Sequence, residues 1–218
     1  MSDIISEISK NMIERYSNRY NKMGYDVKTL GWGTSDQQIF RFSEALKGID
    51  FTNIKTVLDI GCGFGDLLAI MISKSIQLNK YTGWDINPDL IKEAQKIWKG
   101  NKVANEFKVV NIAETNLENE VADAGIMLGV LNLNLKEKFD NYAYSELFIK
   151  KAFGCVKKLL VVDFLSEEIT APYPKEDFVF YHNPARMLEF AFTLTPNVVL
   201  KHNYQPIPQK EFMLYLYK

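Results

Sequence analysis

The sequence predicts an α/β fold in which a mostly parallel sheet carries helices on both faces. From Lys55 onward, short apolar runs rich in β-branched residues alternate with stretches of helical periodicity. Strands that are buried on both faces and separated by helices form parallel sheets. The last two strand patterns, residues 198–204 and 211–218, are joined by a loop that carries Pro206 and Pro208. This loop is too short for a crossover helix, so we expect a hairpin with one antiparallel strand near an edge of the sheet.

An N-terminal helical cap is predicted to precede this sheet. Apolar residues recur at helical spacing in the first twenty positions, and we assign Tyr16 and Tyr20 to the packed face of this helix rather than to a substrate lid. A loop and a second short helix complete the cap, which spans residues 1–50. Neither an internal repeat nor a linker follows, so we expect a single domain over residues 1–218 with its core at residues 55–218.

The composition restricts the classes of function. The chain has 218 residues, of which 47% are hydrophobic and 24% charged, and this is enough for a full hydrophobic core. Its formal net charge of −1 argues against a nucleic-acid partner, because such proteins usually carry a basic excess. Two cysteines without a Cys/His cluster argue against a disulfide framework and against structural zinc. No segment has the pattern of a secretory signal or a membrane span, so we expect a cytoplasmic protein without a membrane partner.

A glycine-rich loop follows the first predicted strand in the stretch VLDIGCGFGDLL. Asp59 ends the strand, and Gly61, Gly63 and Gly65 come after it at alternate positions. A strand, a glycine turn and a helix in this order make a binding site at the carboxyl end of a parallel sheet. Dinucleotide sites usually have the spacing G-x-G-x-x-G and hold a pyrophosphate. The spacing G-x-G-x-G, with Asp59 ahead of it, instead favours a cationic ligand that carries an amino group.

This pattern resembles the first motif of the class I S-adenosylmethionine-dependent methyltransferases. The resemblance extends from about Lys55 to the C-terminal hairpin, and it implies a Rossmann-like sheet of seven strands. It also implies S-adenosyl-L-methionine as cofactor and S-adenosyl-L-homocysteine as product. In that family the loop from Asp59 to Gly65 contacts the cofactor. Cys62 lies inside this loop, and we expect its side chain to be a small filler between sheet and helix rather than a nucleophile.

The resemblance assigns roles to residues that follow the next strands. Asp85 ends the second strand, where the family uses an acidic residue to hold the two ribose hydroxyls, and Ile86 would pack on the adenine. Asn111 ends the third strand, where the family often has Asp beside the adenine amino group; its alternative role is that of a turn residue. Ile112 would supply a backbone contact. The segment at the fourth strand would line the cofactor with Leu128, Gly129 and Val130.

Four further candidates have two interpretations each. Trp32, between two glycines, is either a core anchor or a cover for cofactor or substrate. Arg41 either pairs the carboxylate of the cofactor or forms a surface salt bridge. His182 and His202 could act as general bases, because histidine titrates near neutral pH, or they are structural. We select His202 as the candidate catalytic residue, because hairpin strands in this fold can end near the substrate.

The predicted function is methyl transfer to a small-molecule acceptor, with oxygen favoured, by direct displacement without metal. Metal-dependent members need carboxylates after the fourth strand, and the segment Leu131–Asn134 has none. The same segment lacks the N/D-P-P-Y/F signature of enzymes that methylate exocyclic amino groups of nucleic-acid bases. The alternatives are a methyltransferase for protein or RNA, an NAD-dependent oxidoreductase, and a non-catalytic module that keeps the cofactor pocket.

Overall fold

The computed structural model describes residues 2–115, 120–169, 174–205 and 209–218. Its helices are α1 (Ser2–Met23), α2 (Ser35–Lys47), α3 (Asp66–Ser73), α4 (Pro88–Ile97), α5 (Asn141–Gly154) and α6 (Pro184–Phe192). Its strands are β1 (Thr56–Ile60), β2 (Lys80–Asp85), β3 (Asn105–Val109), β4 (Ala122–Met127), β5 (Val156–Leu165), β6 (Val198–Lys201) and β7 (Glu211–Tyr217). The described strands form a seven-stranded sheet in the order β3-β2-β1-β4-β5-β7-β6.

The strand directions confirm the predicted mostly parallel sheet. β1 pairs with β2, β2 with β3, and β4 with β5, all in parallel. β7 is antiparallel to both of its neighbours, β5 and β6. The predicted C-terminal hairpin is therefore present as the pair β6 and β7. Pro206 and Pro208 of the connecting loop lie outside the described residues.

The chain divides into two compact units, Met1–Asn116 and Leu117–Lys218, and the prediction of a single domain remains a prediction. The first unit contains α1 to α4 and β1 to β3. The N-terminus of α2 is fixed by a capping box, in which the Thr34 hydroxyl accepts from the Gln37 backbone N–H and the Gln37 side chain accepts from the Thr34 backbone. Asn87 caps α4 by accepting from two backbone N–H groups, and Pro88 occupies the first helical position.

The third strand ends earlier than the sequence pattern predicts. β3 stops at Val109, which is in register with Asp85, the last residue of β2. Asn111 therefore lies two residues beyond the ladder, in the turn that follows. The last backbone hydrogen bond between the two segments runs from the Val110 N–H to the Asp85 carbonyl at 2.9 Å, and β2 ends at Asp85.

The second unit contains β4 to β7 with α5 and α6. β7 pairs with β5 along its whole length, from Glu211 opposite Leu165 to Tyr217 opposite Leu159. Six of the seven residues of β7 are buried, as expected for a strand with a neighbour on each side. Among the described residues, none of the helices is both long enough and apolar enough to cross a bilayer.

Candidate functional site

The three glycines of the loop have different surroundings. Gly63 and Gly65 adopt φ values of +54° and +81° and are buried, whereas Gly61 is exposed. A Cβ atom on Gly63 would come within 2.8 Å of the Leu30 side chain, and one on Gly65 would come within 2.8 Å of Phe107. These two positions thus need glycine both for backbone conformation and for neighbouring side chains. Gly61 is the position of the three whose backbone is exposed to a ligand.

Asp85, at the tip of β2, is the acceptor that the loop holds in place. The Gly63 N–H donates to its Oδ2 at 2.9 Å and the Asn87 N–H donates to its Oδ1 at 2.8 Å. Burial raises the pKa of Asp85, while these backbone donors lower it. Each carboxylate oxygen has a second lone pair, so the group can still accept one hydrogen bond on each side. Two such acceptors match a pair of neighbouring hydroxyls. Ile86, the next residue, is half-buried.

Asp59 is a second buried carboxylate beside the loop. It lies in β1 with 6% of its surface exposed, and the Tyr81 hydroxyl donates to its Oδ2. Burial raises the pKa of Asp59 to about 7, opposed by the Tyr81 hydrogen bond and reinforced by the charges of Asp85 and Asp66. A positive charge near the loop would stabilise the ionised form of this group.

Asp66, in the first turn of α3, is the third carboxylate of this region. Its Oδ1 accepts from the Tyr25 hydroxyl at 2.8 Å and its Oδ2 accepts from the Gln38 amide at 3.1 Å. Burial raises the pKa of Asp66, and both hydrogen bonds lower it. The pKa of Tyr25 is raised to about 12 by burial and by its bond to Asp66. We call Asp59, Asp66 and Asp85 the acidic triad.

Cys62 is buried between β1 and β2. A Cβ on Gly83 of β2 would lie 2.9 Å from the Cys62 sulfur, so the thiol fills the space that this glycine leaves. Burial, with the nearby charges of Asp59 and Asp85, raises the pKa of the Cys62 thiol well above its ordinary value. A protonated, buried thiol packs as a small apolar side chain and is a poor nucleophile.

Asn111 makes contacts that its sequence position did not predict. Its Oδ1 accepts from the Ala113 N–H at 3.1 Å, which forms a local turn, and its Nδ2 donates to the Ser9 hydroxyl of α1 at 3.0 Å. The turn role considered for Asn111 is therefore present. Its oxygen keeps one lone pair for a further donor. Ile112, next to it, is buried.

The helix α1 lies against the segment that follows β2. The Asn87 amide donates to the Ile13 carbonyl at 2.9 Å and to the Ser17 hydroxyl at 3.0 Å. Ser17 in turn donates to Asp89, and Tyr20 donates to Glu93 of α4. Sequence periodicity identifies the packed face of α1 but not the segment it meets, so these contacts were not predicted.

Trp32 and Arg41 contact each other. The Arg41 guanidinium carbon lies 4.5 Å from the centre of the Trp32 ring, a cation–π geometry, and Trp32 meets the edge of Phe42 at 5.7 Å. Trp32 is half-buried. Roles for these two side chains at the cofactor remain predictions.

The remaining predicted cofactor residues belong to the second unit. Leu128 is buried, Val130 is half-buried, and Gly129 has φ +72° and donates its N–H to Asp163 Oδ1 at 2.6 Å. Asp163 lies in β5, so this bond fixes the turn after β4 to the neighbouring strand.

His182 is fully buried and contacts Ser145. The Ser145 hydroxyl donates to the Asn141 carbonyl at 2.8 Å, so it can accept the hydrogen of His182 Nε2, which lies 2.9 Å away. Burial lowers the pKa of His182 to about 3, which keeps the ring neutral. Phe164 and Phe180 each lie 4.8 Å from the ring between centres. A neutral ring held in this way has the features of a structural histidine.

His202 is half-buried just beyond β6. Its Nε2 has no hydrogen-bond partner within the part of the chain that the structure describes. Burial lowers the pKa of His202, the charge of Lys210 lowers it further, and Glu168 opposes both. The imidazole is therefore neutral at neutral pH. His182 Nδ1 likewise has no partner among the described residues, but His182 is fully buried whereas His202 is half-buried.

The chain belongs to the family described as the methyltransferase domain, which matches residues 52–160. This span contains the glycine loop, Asp85 and β4. The predicted class I fold, the predicted S-adenosylmethionine-dependent enzyme class and its cofactor are confirmed. The acceptor is not fixed by this match.

Solved structures share the fold. A magnesium protoporphyrin IX methyltransferase from Synechocystis PCC 6803, with bound S-adenosylhomocysteine, has a TM-score of 0.67 at 13% identity, covering 99% of either chain. A methyltransferase from Leishmania major has a TM-score of 0.67 at 12% identity, covering 94% of this chain and 82% of its own. The small RNA methyltransferase HEN1 has 0.64 at 21% identity, over 83% of this chain and 25% of its own. Among curated proteins, none matches the sequence.

Proposed function

We propose that the protein transfers the methyl group of S-adenosylmethionine to a small-molecule acceptor, with oxygen favoured, by direct displacement without metal. The part of this proposal that concerns the cofactor rests on the geometry of Asp85. Its two oxygens are oriented by separate backbone N–H groups, at 2.9 and 2.8 Å, and each can accept one hydroxyl of a ribose.

The acidic triad supports a cationic cofactor over an anionic one. Burial raises the pKa of Asp59, Asp66 and Asp85, so each carboxylate is more easily ionised when a positive charge is near. The sulfonium and ammonium groups of S-adenosylmethionine supply such charges. A dinucleotide would instead bring its pyrophosphate to the N-terminus of α3, where Asp66 stands. This repulsion disfavours an NAD-dependent oxidoreductase.

When bound, S-adenosylmethionine supplies a methyl group on positively charged sulfur, which is reactive without a metal. The chain's own residues then have to bind and orient the cofactor and the acceptor and to exclude water. Orientation alone can lower the barrier by about 7–11 kcal/mol. Asp85 would hold the ribose, and the exposed backbone of Gly61 would allow close approach of the amino-acid part. Asn111 retains a lone pair for the adenine amino group.

A small molecule is favoured as acceptor on grounds of charge. The formal net charge of −1 provides no excess of cations for a nucleic-acid backbone. The structurally similar proteins include one named for a porphyrin and one named for small RNA, so both substrate classes occur on this fold. Methylation of protein or RNA is therefore the alternative proposal. The cytoplasmic location remains a prediction.

His202 remains the proposed general base for the acceptor. Its support is the neutral ring and the Nε2 atom without a partner among the described residues. With an acceptor identified by a methyl-acceptance screen, His202→Gln should keep the affinity for S-adenosylhomocysteine. It should lower turnover about a hundredfold, the smaller end of general-base effects. Equal turnover of the variant and the wild type would remove His202 from the mechanism.

Titration calorimetry with S-adenosylhomocysteine tests the cofactor half. We expect saturable binding by the wild type, no comparable binding of NAD, and a loss of about tenfold or more for Asp85→Asn, because the amide has only one acceptor oxygen. Glu106→Gln is the matched control, since it makes the same chemical change at an exposed carboxylate that pairs with Lys80. If the wild type does not bind S-adenosylhomocysteine, the proposed function is wrong.

A further inference from the structure

One face of α1 approaches the loop that carries Asp85. Ile13, Tyr16 and Ser17 lie within about one helical turn of each other, at spacings that place them on the same side. Asn87 donates to both Ile13 and Ser17, and its own backbone N–H donates to Asp85 at 2.8 Å. The same short segment therefore joins the carboxylate of the site to this turn of α1.

Tyr16 is the tyrosine of this turn, and it shares a face of α1 with Ile13 and Ser17, which both accept from Asn87. Burial raises the pKa of Tyr16, the charge of Arg15 lowers it, and the charge of Asp85 raises it. No hydrogen bond of the Tyr16 hydroxyl is present among the residues that the structure describes. Ser17 and Tyr20, by contrast, donate to Asp89 and Glu93.

A phenol donor and a carboxylate acceptor that lie on adjoining segments, without a hydrogen bond to each other, can both bond to one ligand group. A ribose hydroxyl is such a group, because it donates one hydrogen bond and accepts another. Asp85 can only accept when ionised, so it satisfies the donor side of the hydroxyl. The Tyr16 phenol can donate, and it would satisfy the acceptor side.

We propose that Tyr16 is a second ribose-binding residue, which donates to a hydroxyl oxygen whose hydrogen is accepted by Asp85. This inference rests on the proposed cofactor. It replaces the sequence-based assignment of Tyr16 to packing alone, and it gives α1 a direct part in cofactor binding. Tyr20, one turn further along, does not share this role because its hydroxyl is directed to Glu93 at 2.9 Å.

The test compares Tyr16→Phe with Tyr20→Phe by titration calorimetry with S-adenosylhomocysteine. Each variant removes one hydroxyl from the same helix and keeps the ring. We expect Tyr16→Phe to bind about five- to tenfold more weakly, the usual effect of losing one hydrogen bond of about 1 kcal/mol. Tyr20→Phe should stay within about twofold of the wild type. The melting temperature of each cofactor-free variant is measured as well, and a purely structural role for Tyr16 would lower it without changing the affinity of the folded protein.

Ligand analogues identify the part of the cofactor concerned. We would titrate S-adenosylhomocysteine analogues that lack the 2′ or the 3′ hydroxyl. If Tyr16 bonds to one of these groups, removing that hydroxyl costs less affinity in Tyr16→Phe than in the wild type, since the two changes delete the same contact. Additive losses for both analogues would exclude the ribose as the target.

The outcomes separate this inference from the proposed function. No binding by the wild type contradicts the proposed cofactor itself. Wild-type binding that is weakened by Asp85→Asn but unchanged by Tyr16→Phe overturns the role of Tyr16 and leaves the proposed function standing.

Discussion

At the residue scale, the glycine loop lies among the three aspartates of the acidic triad and is hydrogen-bonded to one of them. Gly63 donates to Asp85, so the turn that glycine permits also orients a carboxylate. The charges of Asp85 and Asp66 raise the pKa of Asp59 further, an effect that a cationic ligand would offset. The sequence pattern predicted that the acidic residue ahead of the glycines belongs to the ligand site. It did not predict Asp66, because an Asp in a first helical turn is a common residue there.

Asp59 gives the cofactor-free protein a pH-dependent stability. Its pKa is about 7 in the folded state and near 3.8 in the unfolded chain, so the folded state binds the proton more tightly. This contribution to the free energy of unfolding is complete below pH 4 and is lost as the pH rises through 7. Between these pH values the wild type should therefore lose at most about 4 kcal/mol of its free energy of unfolding through this group. Asp59→Asn, whose amide oxygen still accepts from Tyr81, should not show this loss.

Urea unfolding without cofactor at pH 5 and at pH 8 measures this difference. Between pH 5 and pH 8, the free energy of unfolding should fall less for Asp59→Asn than for the wild type. Glu106→Gln, which makes the same acid-to-amide change at an exposed carboxylate, serves as control. Identical pH dependence of Asp59→Asn and wild type would contradict the raised pKa.

At the element scale, Asn87 has two functions that belong to different helices. Its Oδ1 caps α4, and its Nδ2 donates to Ile13 and Ser17 of α1. The first function can be predicted from the sequence, because Asn followed by Pro88 is typical of a helix start. The second function cannot be predicted, because helical periodicity identifies the packed face of α1 but not the side chains that contact this face. The Asn111 contact to Ser9 was missed for the same reason.

Two substitutions at Asn87 separate these functions. Ser retains an oxygen for the cap but is too short to replace the amide that donates to α1, whereas Ala removes both. We expect Asn87→Ser to accelerate amide hydrogen exchange in α1 and leave α4 unchanged. Asn87→Ala should accelerate exchange in both helices and cost about 1 kcal/mol more than Ser, the usual value of a cap.

Hydrogen exchange followed by mass spectrometry on peptides from α1 and α4 resolves the two effects. Thr34→Ala, which removes the cap of α2, is the control for a cap without a contact to α1. Unchanged exchange of α1 in Asn87→Ser would show that Asn87 does not hold this helix.

At the scale of the whole molecule, the sequence predicted the sheet better than the site. Buried β-branched runs and helical stretches alternate in a way that few folds allow, and the short connection before β7 forced an antiparallel strand. The end of the third strand was predicted two residues too late, at Asn111, because the apolar pattern continues to Val110 whereas β3 ends at Val109. The acceptor could not be predicted, since no motif in the second unit specifies its chemistry.

The position of β7 has a consequence for the order of assembly during synthesis. β6 leaves the ribosome before β7, yet β7 lies between β5 and β6 and is the strand with which β6 pairs. Until residues 211–217 have been translated, β5 keeps an open edge and β6 has no neighbour in the sheet. Completion of this part of the sheet is therefore a late event, and an exposed edge is the feature by which nascent chains associate wrongly.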